Sequence, residues 1–262
     1  MSTAPAAPRP VLVARPAGRG AALLDLLHGA GIPAEHHPLI HLVPESDEAL
    51  TAVRSLVTGG GCTHLVVTSR TVAEVLGPLE VPERTAVVAV GAGTAQALRE
   101  VGILPSLVAG GTGAALVEQM PPAPEGATVL FPASAAAART VPEGLRAKGY
   151  RVHEISVYRP EAVEPPVEVA VGLAAGGYGA LVLTSPLIAR RAAGHGVHAS
   201  TPIVSIGAPT SAAVHAAGLP LAAQAEEPTD AALVRAIQQV LAAAPGTALP
   251  HTPAPDLPKE IR

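Results

Sequence analysis

The sequence feature that most constrains the fold is an internal repeat. Residues 65–102 align without a gap with residues 181–218, at a constant offset of 116, and about a third of the aligned positions are identical. The identical positions include Thr68-Ser69 with Thr184-Ser185, Gly91-Ala92 with Gly207-Ala208, Thr94 with Thr210, and Gly102 with Gly218. Because both copies keep the same spacing of turns and apolar runs, the repeat predicts a structural unit that occurs twice.

A second repeat flanks the first one. At an offset of 118, Ile40 aligns with Tyr158 and Gly31 with Gly149, so the chain divides into units A1 (about 11–40), B1 (63–119), A2 (129–158) and B2 (179–243). Short β-branched or Leu-rich runs alternate with Ala/Leu segments of helical period, which predicts strand–helix–strand for each A unit and three strands for each B unit. One A and one B unit together predict a five-stranded, doubly wound parallel sheet with helices on both faces.

The order of the units leaves two assemblies open. A tandem chain would pair A1 with B1 and A2 with B2, whereas an interleaved chain would pair B1 with A2 and bring A1 to B2 across two linkers. The stretches Leu42–Asp47 and Arg159–Pro166 carry prolines and acidic residues, as linkers often do. The tail 245–262 carries five prolines and no periodicity, which predicts disorder.

The composition excludes several classes of protein. The net charge is −4 and aromatic residues make up 2%, so the chain has neither the basic surface nor the stacking rings of a nucleic-acid-binding protein. The single cysteine, Cys62, excludes an internal disulfide and favours a reducing compartment. No apolar run is long enough for a membrane span, and the amino terminus does not resemble a signal peptide. We therefore expect a cytoplasmic protein with no nucleic-acid or membrane partner.

Repeated hydroxyl and glycine residues mark the ends of predicted strands in both halves. Ser and Thr at the start of a helix bind free backbone N–H groups, and Gly permits a tight turn or a close approach to a ligand. The carboxyl ends of strands in open α/β sheets are also where ligands bind, and N–H groups at helix starts suit carboxylates or phosphates. Plain helix capping explains the same residues equally well at this stage. The candidate residues for binding are Ser69, Gly91, Thr94, Ser185, Gly207 and Thr210.

Tyr158 and Arg15 are further candidates for chemistry. Tyr158 ends the last strand of A2, and a tyrosine hydroxyl can donate a proton or a hydrogen bond to a leaving oxygen. Arg15 follows the first strand and could bind a carboxylate through two parallel hydrogen bonds. A packed residue at the rim of the sheet and a surface cation are the corresponding alternatives.

Neither a nucleotide cofactor nor a metal ion is expected. The turn Gly91–Gln96 lacks the third glycine of a dinucleotide-binding loop, and its repeat replaces the second glycine with Pro209. His36, His37 and His41 lie in and just beyond a predicted strand, where neighbouring side chains point to opposite faces. No other cluster has the spacing of metal ligands.

Taken together, these segments resemble the uroporphyrinogen-III synthase family over roughly residues 11–241. The resemblance rests on an ordered set of motifs rather than on any one of them. They are VLVARP (11–16), LVVTS (65–69), AVGAGTAQAL (89–98), VLFPAS (129–134), LRAKGYRV (145–152), EISVYRP (154–160), LVLTSP (181–186), SIGAPTSAAVHAAG (205–218) and PTDAALVRAI (228–237).

The resemblance implies the interleaved assembly: two Rossmann-like domains joined by two linkers. Residues 1–41 and 165–244 would form domain 1, residues 47–157 domain 2, and residues 42–46 and 158–164 the linkers. It also implies cofactor-free cyclisation of hydroxymethylbilane to uroporphyrinogen III with inversion of ring D, in a cleft between the two halves.

The resemblance further implies roles for individual residues and for partners. Tyr158 matches the tyrosine proposed to assist departure of the substrate hydroxyl, and Arg15 matches the arginine of the opening strand. Ser69, Thr94, Ser185 and Thr210 match hydroxyls that line the cleft. The expected protein is a monomer that receives its substrate in a transient hand-over from hydroxymethylbilane synthase. The alternative left open is a non-catalytic binding module for a polycarboxylate small molecule, since fold alone does not fix function.

Overall fold

The structure is a computed structural model that describes residues 8–243. The tail predicted to be disordered, 245–262, lies outside the described residues. The chain divides into two compact units. Within the described residues, unit 1 comprises residues 8–41 and 162–243, and unit 2 is Leu42–Glu161.

Unit 1 contains a five-stranded sheet in which every strand pair is parallel. In chain order its strands are β1 (Val11–Val13), β2 (Ala34–His36), β9 (Ala180–Leu183), β10 (Ile203–Ser205) and β11 (Leu221–Gln224). Their order across the sheet is β11-β10-β9-β1-β2. The helices are α1 (Ala21–Gly29), α7 (Val167–Ala175), α8 (Pro186–Gly194), α9 (Ala208–Ala216) and α10 (Asp230–Ala243).

Among the described residues, the second sheet, that of unit 2, has six strands rather than the predicted five. The strands are β3 (Ile40–Pro44), β4 (His64–Val67), β5 (Ala86–Ala89), β6 (Leu107–Val108), β7 (Thr128–Ser134) and β8 (Arg151–Ala162). Their order across the sheet is β3-β8-β7-β4-β5-β6, and β3 is the strand that was not predicted. The helices are α2 (Asp47–Thr58), α3 (Arg70–Leu76), α4 (Ala92–Glu100), α5 (Gly113–Gln119) and α6 (Thr140–Ala147).

The strand orders confirm the predicted fold class and resolve the choice between tandem and interleaved assembly. The strands of A1, β1 and β2, lie beside those of B2, β9 to β11, while the strands of A2 lie beside those of B1. The order β11-β10-β9-β1-β2 in unit 1 corresponds strand for strand to β6-β5-β4-β7-β8 in unit 2. The chain is therefore interleaved, as the family resemblance implied.

Both faces of the unit 2 sheet are buried, which explains the continuous apolar runs in its central strands. In β4, Leu65 and Val67 belong to one hydrophobic cluster, whereas Val66 between them belongs to another. The first cluster contains residues of α2, α3 and α4, and the second contains residues of α5 and α6. Helices on both faces therefore cover the sheet, and its carboxyl edge is left for the turns that carry the candidate residues.

The strands at the segments between the two units differ from the sequence prediction. One strand was predicted over residues 34–40, but β2 ends at His36 and β3 begins at Ile40. Pro38 lies in this break and has no N–H to continue a ladder. The strand predicted to end at Tyr158 continues to Ala162 as β8, so β3 and β8 run through the segments predicted as linkers. Hydrogen bonds from Glu45 N–H to Val157 O and from Val163 N–H to Leu39 O make this pair antiparallel.

Candidate functional site

Five candidate turns follow the carboxyl ends of neighbouring parallel strands. In unit 2, Ser69 follows β4 and Gly91 follows β5, and these two strands pair directly. In unit 1, Arg15, Ser185 and Gly207 follow β1, β9 and β10, which are three adjacent strands. Parallel strands end at the same edge of a sheet, so each unit gathers its candidates along one edge, where open α/β sheets bind ligands.

Ser69 and Ser185 both cap helices, but they do so with different geometry. Ser69 Oγ accepts from the N–H of Thr71, two residues on, at 3.1 Å. Ser185 Oγ accepts from the N–H of Ile188, three residues on, at 3.2 Å, and Pro186 occupies the first position of that helix. Capping therefore accounts for one hydrogen bond of each serine. The two hydroxyls nevertheless occupy different positions relative to their helices.

Gly91 and Gly207 occupy equivalent helix starts for different reasons. A Cβ built on Gly91 would lie 2.9 Å from the Cα of Gly111 and 3.3 Å from its backbone nitrogen. A Cβ built on Gly207 would meet nothing within 4 Å. Both residues are extended, with φ of −176° and 169°, so no backbone strain demands glycine at either position. Gly91 is needed for close packing inside the protein, whereas the space beside Gly207 is open.

The threonines of these two turns carry hydroxyl groups with no internal partner among the described residues. Thr94 is 7% exposed and Thr210 is 2% exposed, and both lie in the first turn of their helices, α4 and α9. Within residues 8–243, neither side-chain oxygen makes a hydrogen bond. A hydroxyl with unused capacity at a ligand-binding edge can donate to a carboxylate.

A β-bulge sets the direction of the Tyr158 side chain. Ala133 of β7 pairs with Ser156 and Ser134 pairs with Tyr158, so Val157 is the extra residue. Strict alternation would send Val157 and Tyr158 to opposite faces of the sheet. Instead both belong to the same buried cluster, with exposures of 0% and 8%. The bulge therefore turns Tyr158 toward the face covered by α3 and α4.

The Tyr158 hydroxyl meets the first candidate turn of unit 2. It donates a hydrogen bond to Ser69 Oγ at 3.2 Å, across 89 positions of sequence. Two candidates that the sequence could name only separately are therefore in direct contact. Ser69 Oγ accepts from both the tyrosine and the Thr71 N–H, so its own proton has no assigned acceptor among the described residues.

Arg15 is held by an aspartate that sequence reasoning did not find. Arg15 Nη1 donates to Asp230 Oδ2 at 3.1 Å, and Nη2 donates to Oδ1 at 2.5 Å. The Arg15 and Asp230 side chains are 13% and 27% exposed, and Asp230 opens α10. The Arg15 Nε and the remaining N–H groups have no partner among residues 8–243. The only available sequence signal was an acidic residue in the first turn of the closing helix, which usually serves the helix itself.

A second group of polar residues lies beside β2, the last strand in the order of the unit 1 sheet. A cavity of about 400 Å³ is lined by residues that include Glu35, His37 and Tyr178. Tyr178 donates to Glu35 Oε1 at 2.6 Å, and burial, aided by the carboxylate, strongly raises the pKa of Tyr178. Tyr178 precedes β9, Glu35 lies within β2 and His37 follows it, and none of the candidate residues lines this cavity.

Two kinds of feature are absent from residues 8–243. No group of three or more His, Cys, Asp or Glu side chains in this range could hold a metal ion. No helix in the same range is sufficiently long and apolar to cross a membrane.

Comparison with known protein families decides the affiliation of the chain. The family model for uroporphyrinogen-III synthase HemD matches residues 21–235, which is most of the sequence. The chain belongs to the uroporphyrinogen-III synthase family. The function expected from the sequence resemblance is thereby confirmed at the level of the family, whose members are enzymes of tetrapyrrole synthesis acting on a small molecule.

Solved structures of synthases share the fold. A mutant uroporphyrinogen III synthase from Thermus thermophilus has a TM-score of 0.63 and 17% identity, covering 89% of this chain and 99% of that one. Uroporphyrinogen-III synthetase from Helicobacter pylori has a TM-score of 0.60 and 15% identity, with coverages of 88% and 99%. A search of curated proteins returned no significant match. At these identities the solved structures support the fold, and the family match supports the function.

Proposed function

We propose that this chain is a cyclising hydro-lyase that converts hydroxymethylbilane to uroporphyrinogen III with inversion of ring D. Membership of the synthase family supports the reaction. The observation that carries the assignment of residues is the hydrogen bond between Tyr158 and Ser69 at the carboxyl edge of unit 2. It joins a proton-bearing phenol to one of the turns where an α/β sheet binds its ligand.

Tyr158 is the proposed acid for departure of the substrate hydroxyl. The C–O bond breaks, its electron pair leaves with the oxygen, and the tyrosine proton completes a water molecule. The remaining tetrapyrrole is a cationic azafulvene, and the tyrosinate balances its charge. Ring D attacks through its substituted carbon to give a spiro intermediate, which rearranges and closes. The proton that the pyrrole loses as aromaticity returns goes back to Tyr158.

Substrate binding is assigned to the helix starts. The substrate carries many carboxylates, which suit backbone N–H groups at the starts of α4, α8 and α9, each nine residues long. The hydroxyls of Ser69, Thr94, Ser185 and Thr210 add donors. The open space beside Gly207 leaves the backbone N–H groups of its turn accessible, while Gly91 lets its turn pack closely against Gly111. Arg15 adds a cation through the N–H groups that Asp230 leaves unused.

Such an enzyme needs orientation more than strong acids and bases. Loss of the hydroxyl yields a reactive species without help, and the free reaction closes the ring in the uninverted orientation. Catalysis then consists largely of holding the two ends of the bilane in the geometry that leads to the inverted ring closure. A single phenol with several neutral donors is a suitable set of groups for that task, and no cofactor is required in this scheme.

An isomer assay tests the proposed reaction directly. Purified protein is incubated with freshly generated hydroxymethylbilane, and the products are oxidised to porphyrins and separated chromatographically. We expect the type III isomer. Type I product alone, as in the spontaneous reaction, would contradict the proposal, and tight binding of the bilane without turnover would indicate a binding module instead.

The tyrosine assignment is tested by Tyr158→Phe. We expect kcat to fall by about 10²-fold, the lower range for removal of a general acid, with the fold intact. Tyr150→Phe is the matched control, because Tyr150 is also a buried tyrosine of unit 2 and donates a hydrogen bond to Pro121 O at 3.2 Å. Equal losses in both variants, or no loss in Tyr158→Phe, would remove the proposed role.

The proposal extends to the cellular setting. We expect a cytoplasmic monomer without nucleic-acid or membrane partners, which receives hydroxymethylbilane from its synthase in a transient hand-over. Size-exclusion chromatography with light scattering tests the oligomeric state. An assay coupled to hydroxymethylbilane synthase tests the hand-over. If the bilane passes directly between the two enzymes, the amount of type I by-product should stay low even when free bilane is diluted. If the bilane diffuses through solution, the amount of type I by-product should rise.

A further inference from the structure

We propose that Ser69 is a positioning residue for Tyr158 and that its hydroxyl stabilises the tyrosinate formed when the substrate hydroxyl departs. This inference rests on the proposed function and gives Ser69 a task besides substrate binding. It concerns unit 2, since the position of the tyrosine is taken by Ile40 in the repeat. The three observations that carry it are the β-bulge, the two bonds to Ser69, and the contrast with Ser185.

The β-bulge at Val157 aims Tyr158 at Ser69. Without the extra residue, Tyr158 would lie on the other face of the sheet from Val157. With it, the ring packs in the buried cluster below α3 and its hydroxyl reaches Ser69 Oγ at 3.2 Å. Bulges are common beside active sites because they redirect one side chain without disturbing the rest of the strand. The ring is therefore fixed by packing, and its hydroxyl is fixed by Ser69.

The Ser69 hydroxyl can change from acceptor to donor in its hydrogen bond with Tyr158. Its oxygen is held by the N–H of Thr71 at 3.1 Å, and its own proton has no acceptor within residues 8–243. When Tyr158 gives its proton to the leaving hydroxyl, rotation of Ser69 lets that free proton bond the phenolate. An oxygen that already accepts an N–H bond is a better donor, because hydrogen bonds in a chain polarise one another. The N–H of Thr71 thereby supports the charge on Tyr158 through Ser69.

The internal repeat provides a contrast within the same chain. Ser185 occupies the position of Ser69 in unit 1, but its oxygen accepts from the N–H of the third residue of its helix rather than the second. In the sequence repeat Tyr158 aligns with Ile40, which has no proton to transfer and lies in β3 rather than in β2, the strand that corresponds to β8. The capping serine is thus common to both units, whereas the serine–tyrosine pair occurs in unit 2. Capping alone does not account for the pair.

The first test is a double-mutant cycle on kcat. Ser69→Gly removes the hydroxyl, while glycine is well tolerated at a helix N-cap, so the variant should fold. We expect kcat to fall roughly 10- to 100-fold, as for loss of a hydrogen bond to a charged group, and Ser69→Thr to restore most of it. In a Tyr158→Phe background, Ser69→Gly should have little further effect, because no tyrosinate forms.

The second test varies the leaving group. A bilane with a better leaving group on its terminal methylene needs less help from an acid, so the loss of kcat in Ser69→Gly should shrink. Ser185→Gly is the matched comparison, and any loss there should be the same for both substrates. Ser46→Ala, which removes the exposed cap of α2 in the same unit, should leave both rates unchanged.

Two outcomes would overturn the inference. One is an undiminished effect of Ser69→Gly in the Tyr158→Phe background, and the other is equal losses for Ser69→Gly with both leaving groups. Either would assign Ser69 to substrate binding or to helix capping. Failure of the proposed function looks different, because the unaltered chain would then give no type III product. Circular dichroism of each variant confirms that the comparison is made between folded proteins.

Discussion

The two equivalent glycines allow steric and functional reasons for glycine to be separated by one substitution. Gly91→Ala would bring a Cβ to 2.9 Å from Gly111 Cα, although carbon atoms prefer about 3.5–4.0 Å. Both partners are backbone, so the strand end or the loop must move, and overpacking of this kind costs about 1–3 kcal/mol. Gly207→Ala meets nothing within 4 Å and carries no such cost.

The difference between the two variants is the quantity to measure. Replacing glycine with alanine also changes the unfolded chain and the helix cap, but both effects apply to both variants because each glycine is an N-cap in extended conformation. We therefore expect Gly91→Ala to be about 1–3 kcal/mol less stable than Gly207→Ala. Urea unfolding combined with hydrogen exchange in β5–α4 and β10–α9 measures each unit separately.

The effect on KM should follow the reverse order, with the larger increase in Gly207→Ala, the more stable variant. If the open space beside Gly207 admits the substrate, the added methyl group in Gly207→Ala raises KM while stability stays close to that of the unaltered protein. Two results would refute this reasoning: equal stabilities of the two variants, or a Gly207→Ala protein with unchanged KM. The first would contradict the packing at Gly111, and the second would contradict the binding role of Gly207.

Two further predictions concern stability. The buried Thr201 hydroxyl has no partner among the described residues, whereas the hydroxyl of its repeat equivalent, Thr85, donates to Cys62 O at 3.0 Å. Thr201→Val should therefore stabilise the protein by about 1 kcal/mol, and Thr85→Val should destabilise it by about as much. Equal urea midpoints for the two variants would contradict this prediction. Burial lowers the pKa of His64 below its ordinary 6.5, so the unfolded chain binds the proton more readily and stability falls as pH drops below about 6.5. Thermal unfolding between pH 5 and 8 should show a weaker pH dependence for His64→Gln, and an identical dependence would exclude this group.

The fold could be predicted from the sequence because the internal repeat indicates where each strand and turn recurs. The spacing of strands and turns is local, and two copies at fixed offsets predicted five strands for each sheet. Within the described residues unit 1 has these five, and unit 2 has β3 in addition. The interleaved order was open on local grounds, since a linker pattern at residues 42–46 does not say which strand lies beside β1. The family resemblance implied it, and the pairing of β1 with β9 confirms it.

The site was less predictable, because its contacts join distant parts of the chain. Arg15 and Asp230 are 215 positions apart, and Tyr158 meets Ser69 across 89 positions. The bulge at Val157 shifts register by a single residue, and no pattern in the strand sequence indicates it. Periodicity can place a residue at the end of a strand, but tertiary packing decides which face it lies on and what it touches.

Duplicated residues in this chain are not evidence of duplicated roles. Gly91 is held against Gly111 while Gly207 faces open space, and Ser69 bonds a tyrosine while Ser185 caps its helix. A shared scaffold explains why the residue types recur, because the same turn needs a capping hydroxyl and a small residue in each copy. The chemistry requires an asymmetric arrangement, since only one end of the bilane loses a hydroxyl. Unit 2, whose strand β8 carries the tyrosine that the sequence repeat aligns with Ile40, is therefore the unit to which we assign that step.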